Sequence, residues 1–147
     1  MLLLFALVLR TCAANGSLPD ATCTPGATMP ITTHALCTTS TKERRAVPQS
    51  VHRQVFLDYG LAYPQARGAY EVDHLIPLEL GGSNDIANLW PEAAMPEPGF
   101  HTKDRVENWA HREVCAGRMP LADAQRQIAS DWTVLLHRMT SATEQEE

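Results

Sequence analysis

The chain has 147 residues, of which 44% are hydrophobic and 20% are charged, and its formal net charge is -5 at pH 7. This length supports one domain with a modest core and is too short for two well-packed domains. The acidic balance excludes a protein that coats nucleic acid through a uniformly basic surface, so any contact with nucleic acid must be local.

The first residues resemble an export signal. Leu2 to Leu9 are all apolar, and small residues follow up to Ala14. We therefore expect a secretory signal peptide over residues 1–14 and a secreted or periplasmic protein. The run is too short to span a bilayer, and no later segment is apolar enough to do so. A buried N-terminal strand or helix is the alternative, and a lipid anchor at Cys12 fits the preceding Arg10 and Thr11 poorly.

Residues 15–48 are rich in Pro, Gly, Thr and Ser, which predicts an irregular N-terminal arm that wraps the domain or is partly disordered. Cleavage after Ala14 would leave Cys23, Cys37 and Cys115, so we expect one disulfide and one free thiol. Cys37 with Cys115 is favoured because it closes the longest loop, and Cys23 with Cys37 is the alternative. A Cys-x-x-Cys pair, the mark of a zinc knuckle, does not occur.

Apolar periodicity predicts the remaining elements. Helices are expected over about 48–59, 102–116 and 120–138, and a strand over 69–76. Trp90, Trp109 and Trp132 are expected in the core, and the acidic tail over 141–147 is expected to be disordered.

The stretch from Glu71 to Pro91 reads EVDHLIPLELGGSNDIANLWP and predicts a β-hairpin with Gly81-Gly82 in its connection. Asp73 and His74 are adjacent, and strict alternation would send them to opposite faces, so the strand must end or bulge there. A carboxylate can hold a hard divalent cation and a neutral imidazole can take a proton from water. The pair therefore carries two parts of metal-assisted hydrolysis.

Asp73-His74 with Pro77, then Gly81-Gly82, then Asn88-Leu89, resembles the core of the HNH endonucleases, also called His-Me or ββα-metal finger nucleases. The resemblance covers roughly 70–112. It implies an α+β fold with a small ββα-metal finger core over about 70–116. This core lies inside a nuclease domain over 49–140 with flanking helices, which the irregular arm precedes. It also implies that Asp73 ligates the metal, that His74 is the general base and that Asn88 braces the loop between the strands.

The third ligand is expected on the helix after the hairpin. His101, thirteen residues after Asn88, is the favoured candidate, because that distance lets the helix return across the hairpin. Asp104 and Glu107 are the alternatives, since a hard cation prefers carboxylate oxygen.

Three further residues are candidates around this site. Lys103 and Arg105 are expected to hold the substrate phosphate, and the alternative is that they pair with acidic residues on a solvated helix. Glu71 lies two residues before Asp73 on the same strand face, so it is expected to support the ligand as a neighbouring carboxylate.

The resemblance thus predicts a metal-dependent endonuclease that hydrolyses phosphodiester bonds in nucleic acid, DNA rather than RNA, with one divalent ion. Mg²⁺ or Mn²⁺ is expected, with Zn²⁺ or Ni²⁺ as alternatives. The competing hypothesis is a catalytically inactive exported domain on the same scaffold, which binds nucleic acid or another partner.

Overall fold

The computed structural model of the chain describes residues 11–145. Over this range the chain forms four α-helices and one two-stranded antiparallel sheet, which confirms the α+β class. In chain order the elements are α1 (Thr33–Thr38), α2 (Gln49–Asp58), β1 (Tyr70–His74), β2 (Leu89–Ala93), α3 (Phe100–Cys115) and α4 (Leu121–Glu144). Single 3-10 turns occupy Lys42–Arg44, Leu78–Leu80 and Ile86–Asn88.

The helices follow their sequence signals with shifted ends. α3 begins two residues before the expected start, directly after Gly99, and its last turn is followed by Gly117 at φ 74. α4 runs to Glu144, so the tail that was expected to be disordered from residue 141 starts inside a helix. Asp131 has non-helical angles within α4, and its carboxylate accepts from the backbone N–H of Thr133 at 2.9 Å. Asp131 thus caps the second half of α4 like an N-terminal residue.

The hairpin presents one of its faces to α3. In the register of β1 and β2, Glu71 pairs with Glu92 and Asp73 pairs with Trp90. Residues directly opposite each other, and residues two apart on one strand, project from the same face of a sheet. These four side chains therefore share one face, and Lys103 of α3 contacts Asp73 there. The arrangement places the three carboxyl groups of Glu71, Asp73 and Glu92 between the hairpin and α3.

The main core lies between α3, α4 and α1. Val106 and Trp109 of α3 pack in one buried cluster with Ile128 and Trp132 of α4. The Trp132 indole N–H donates to the carbonyl of Ser17 at 2.7 Å, which attaches the arm to α4. The prediction that all three tryptophans are buried is confirmed.

The arm is largely irregular, as predicted, but it contains α1, which the sequence reading missed. Two disulfides fix it: Cys37–Cys115, the predicted pair, joins α1 to the end of α3, and Cys12–Cys23 closes a short loop. Cys23 is bonded to Cys12, which cleavage after Ala14 would remove, so residues 11–145 of the full chain contain no free thiol.

Two disulfides are compatible with a secreted or periplasmic protein. The apolar run of the expected signal peptide lies outside the described residues. None of the helices within residues 11–145 is long and apolar enough to cross a membrane.

Candidate functional site

A polar cleft of about 440 Å³ lies where the end of β1 meets α3 and the arm. Asp73 and His74 both line it, so the end of the strand brings the adjacent pair to one cavity. The other lining residues come from the arm, from β1 and the turn after it, and from α3: Thr41, Arg45, Glu71, Val72, Pro77, Leu78, Glu79, Asp104, Glu107 and Asn108.

Asn88 is fully buried below the cleft and holds the connection between the strands. Its Oδ1 accepts from the backbone N–H of Ile76 at 2.9 Å and from that of Ala27 at 3.3 Å. Its Nδ2 donates to the carbonyls of Ile76 and Ser83, each at 2.9 Å. These bonds satisfy the side-chain amide and clamp the loop that follows His74. This is the bracing geometry expected of Asn88.

Glycine at position 82 permits this clamp. A Cβ on Gly82 would lie 1.7 Å from the Ile76 carbonyl oxygen and 3.0 Å from Nδ2 of Asn88. Any larger residue would push the loop away from Asn88, because the nearest obstacle is backbone. The Gly-Gly pair of the motif therefore serves close packing of the loop as well as its turn.

His74 is the last residue of β1, directly before this loop, and one side of its ring contacts Asn84. Its Nε2 is 2.7 Å from Oδ1 of Asn84, whose Nδ2 donates to the carbonyl of Arg44 at 2.8 Å. Because the Asn84 amide directs its donor to Arg44, its oxygen faces His74, and Nε2 must carry the proton. Nδ1 is then the acceptor nitrogen. Burial lowers the pKa of His74, so the ring is neutral near pH 7.

Lys103 does not have the role that the sequence predicted for it. Its side chain is 1% exposed, and Nζ donates to Oδ2 of Asp73 at 2.5 Å, to the His74 carbonyl at 2.8 Å and to Glu107. Burial would lower the pKa of Lys103, but the negative charges of Asp73 and Glu107 raise it above its usual range. Lys103 is thus a buried counter-ion inside the site, and it is inaccessible to a substrate phosphate.

Glu92 is a buried carboxyl that the sequence reading missed. It is 1% exposed, and its oxygens accept no hydrogen bond from the described residues, but in its protonated form it can donate to the carboxylate of Asp73. Burial, and then the charge of Asp73, raise the pKa of Glu92 to about 10, so it is protonated at neutral pH. The alternation of the strand could have indicated that Glu92 is buried. Trp90 and Glu92 fall on one strand face, and Leu89, Pro91 and Ala93 fall on the other.

The pKa shifts of the acidic residues in the cleft show that nearby positive charges do not fully compensate their negative charge. Burial, followed by the charges of Asp73 and Asp104, raises the pKa of Glu71 to about 7. Burial also raises the pKa of Asp104 and of Glu79. Such shifts mean that a cation entering the cleft would be attracted and would displace protons.

A preformed metal centre is not evident in the part of the chain that the structure describes. Between residues 11 and 145 no three His, Cys, Asp or Glu side chains are already grouped as ligands. Oxygen donors that share a negatively charged cleft nevertheless fit a hard divalent cation in chemistry and in charge.

Two predicted site residues lie elsewhere. His101 is exposed, its ring lies 4.2 Å from that of Phe100, and it does not line the cleft, so the structure does not support it as the third ligand. The reason is its position on α3, one turn before Asp104. Arg105 contacts Thr102 and lines a different groove, so it is also removed from His74. The exposed cation that lines the cleft is Arg45 of the arm.

Comparisons of the chain with protein-family models, with curated proteins and with solved structures found no match.

Proposed function

We propose that this protein is a metal-dependent endonuclease of the HNH type, which hydrolyses phosphodiester bonds in DNA at the cleft around His74. The observation that carries the proposal is the state of His74. The ring is neutral, its Nε2 is held by Asn84, and His74 lines a cleft together with several carboxylates. The succession of β1, β2 and α3, with Asp73 and His74 at the end of the first strand, supports a ββα finger.

His74 acts as general base in this proposal. A neutral imidazole with a free acceptor nitrogen can take the proton of a water molecule as that water attacks phosphorus. Burial keeps the ring neutral, and the Asn84 contact keeps Nε2 from being the acceptor. The base therefore needs no change of tautomer before the reaction.

The residues that would hold the divalent ion are Asp73, Glu71 and Asp104, whose charges already act on one another. Oxygen donors of this kind favour Mg²⁺ or Mn²⁺ over Zn²⁺ or Ni²⁺. When bound, the ion supplies positive charge next to the phosphate oxygens that become more negative during the reaction. Arg45 replaces Lys103 and Arg105 as the candidate contact for the substrate phosphate, because it is exposed at the cleft.

One observation favours a second function. The ammonium of Lys103 already neutralises Asp73. Because the positive charge of Lys103 compensates the negative charge of Asp73, the protein can be stable without a metal ion. This is the inactive domain that the sequence left as an alternative, and it predicts binding of nucleic acid or another partner without cleavage.

Nicking of a supercoiled plasmid separates the two. Wild type, His74→Ala and His101→Ala are each incubated with Mg²⁺, with Mn²⁺ and with a chelator, and an RNA substrate is run in parallel. His101 is the matched control, because it is an exposed histidine outside the cleft. We expect nicking by wild type and His101→Ala with either metal, and none by His74→Ala or with chelator. Absence of cleavage by folded wild type under every condition would instead support the inactive domain.

Calorimetric titration tests the ligands independently of activity. Wild type and His74→Ala should bind Mg²⁺ or Mn²⁺ with similar affinity, whereas Asp73→Asn should bind at least about tenfold more weakly. Equal affinity in wild type and Asp73→Asn would remove Asp73 from the metal site.

A further inference from the structure

We propose that Asn84 is a positioning residue for His74: its side-chain carbonyl determines which imidazole nitrogen carries the proton and where the acceptor nitrogen faces. The inference rests on the proposed role of His74 as general base.

The geometry of Asn84 is that of a two-ended bridge. Its Oδ1 lies 2.7 Å from Nε2 of His74, and its Nδ2 donates to the Arg44 carbonyl at 2.8 Å. Turning the amide over would place a donor against the Nε2 proton and an oxygen against the Arg44 carbonyl. Both contacts would become repulsive, so the bridge has one favourable orientation.

The backbone around Asn84 is fixed as well. The N–H of Ser83 donates to the Ala27 carbonyl at 3.0 Å, and the Ser83 carbonyl accepts from Asn88. On the other side, the N–H of Asp85 is 3.3 Å from the Ser83 hydroxyl. The Asn84 side chain is therefore presented from a loop that is anchored directly before and after it.

A purely structural role fits Asn84 poorly. Asn84 is exposed and contributes nothing to the buried core, whereas Asn88, four positions later, is fully buried. An exposed side chain with two hydrogen bonds contributes little to stability. What its bonds do accomplish is to connect the arm to the imidazole, which no other described side chain does.

Two variants distinguish positioning from support. Asn84→Leu keeps the approximate volume and removes both hydrogen bonds, whereas Asn84→Asp keeps an oxygen acceptor for Nε2 and loses only the bond to the Arg44 carbonyl. Long-range proton–nitrogen NMR spectra report the tautomer of each histidine, and His74→Gln assigns the His74 signals. Spectra at about pH 8 keep the ring neutral.

We expect the Nε2-protonated tautomer in wild type and in Asn84→Asp, and a mixture of tautomers in Asn84→Leu. A single Nε2-protonated tautomer in Asn84→Leu would overturn the inference. This readout requires no activity, so it still decides the positioning role if the proposed nuclease function fails.

Single-turnover cleavage supplies the kinetic test. With the tautomer and direction of the base lost, Asn84→Leu should cleave about 100-fold more slowly than wild type with a nearly unchanged KM. Asn84→Asp should recover at least about tenfold of that loss. Both variants should melt within a few degrees of wild type. Full activity of Asn84→Leu in an active nuclease would refute the positioning role and leave the proposed function standing.

Discussion

Replacing Lys103 with methionine separates its buried position from the phosphate-binding role that the sequence predicted. Methionine has a similar length but no charge, so Asp73 would lose the ammonium that lies 2.5 Å from it. Asp73 is 9% exposed, and a hydrogen bond from the neutral carboxyl of Glu92 cannot replace the full positive charge of the ammonium. The variant would therefore leave a buried carboxylate with little compensation.

The expected loss follows from this burial. Removing one partner of a buried ion pair costs about 3–5 kcal/mol, which in a chain of this length lowers Tm by about 10 °C or more.

The loss of stability in Lys103→Met depends on pH. Burial raises the pKa of Glu107 and the charge of Lys103 opposes that rise, so without Lys103 the pKa is higher still and the carboxyl is neutral in the folded state at about pH 5. Without Lys103 the folded state binds more protons than the unfolded chain, and its stability falls as pH rises.

Thermal unfolding followed by circular dichroism at about pH 5 and about pH 8 measures both effects. The matched control is Lys42→Met, because Lys42 is exposed in the arm. We expect Lys103→Met to lose most at the higher pH and Lys42→Met to melt like wild type at both. A Lys103→Met variant that melts like the control at about pH 8, and only cleaves more slowly, would refute the buried counter-ion and restore the phosphate contact.

Three further predictions concern the same structure. Asn88→Ala should lower the free energy of unfolding, measured in urea, by about 3 kcal/mol, because the Asn88 amide makes four hydrogen bonds to buried or partly buried backbone. An unchanged urea midpoint would show that Asn88 does not hold the loop. Replacing Cys37 and Cys115 with serine should cost about 4.5 kcal/mol, against about 3 kcal/mol for the shorter disulfide, since their separations are 78 and 11 residues; the reverse order in thermal melts would contradict the loop-closure account. Burial, and then two neighbouring carboxylates, raise the pKa of Glu71 from 4.5 to about 7, so without metal Tm should fall as pH rises through that interval and Mg²⁺ should reduce the fall; a Tm that rises instead would show that Glu71 is compensated.

The hairpin and the long helices could be predicted because their signals are local. The strand that carries Asp73 and His74 ends close to Pro77, where a proline removes a ladder donor. The role of Asn88 as a brace of the loop between the strands could be predicted, because three of its four hydrogen bonds are made to Ile76 and Ser83 of the same motif. Local periodicity also gave α2 to within a residue or two, since its apolar stripe is regular.

The interior of the site could not be predicted, because it depends on how α3 is rotated and where it starts relative to the hairpin. A helical lysine among acidic residues is typical of a solvated surface or a phosphate contact, and only the packing of α3 on β1 shows that Lys103 is buried. The same rotation brings Asp104 to the cleft and leaves His101 one turn away. The contact of Asn84 could not be predicted, because its partner, the Arg44 carbonyl, belongs to the arm, whose path the sequence does not indicate.

If His74 is the base of a phosphodiester hydrolase, removing it must slow the single-turnover cleavage of DNA with saturating Mg²⁺ or Mn²⁺. Wild type and His74→Ala are compared at equal concentration after their folding and metal affinity have been shown to match. We expect the rate of His74→Ala to be lower by at least about 100-fold, the contribution of a positioned general base. Equal rates for the two proteins would show that His74 is not the general base.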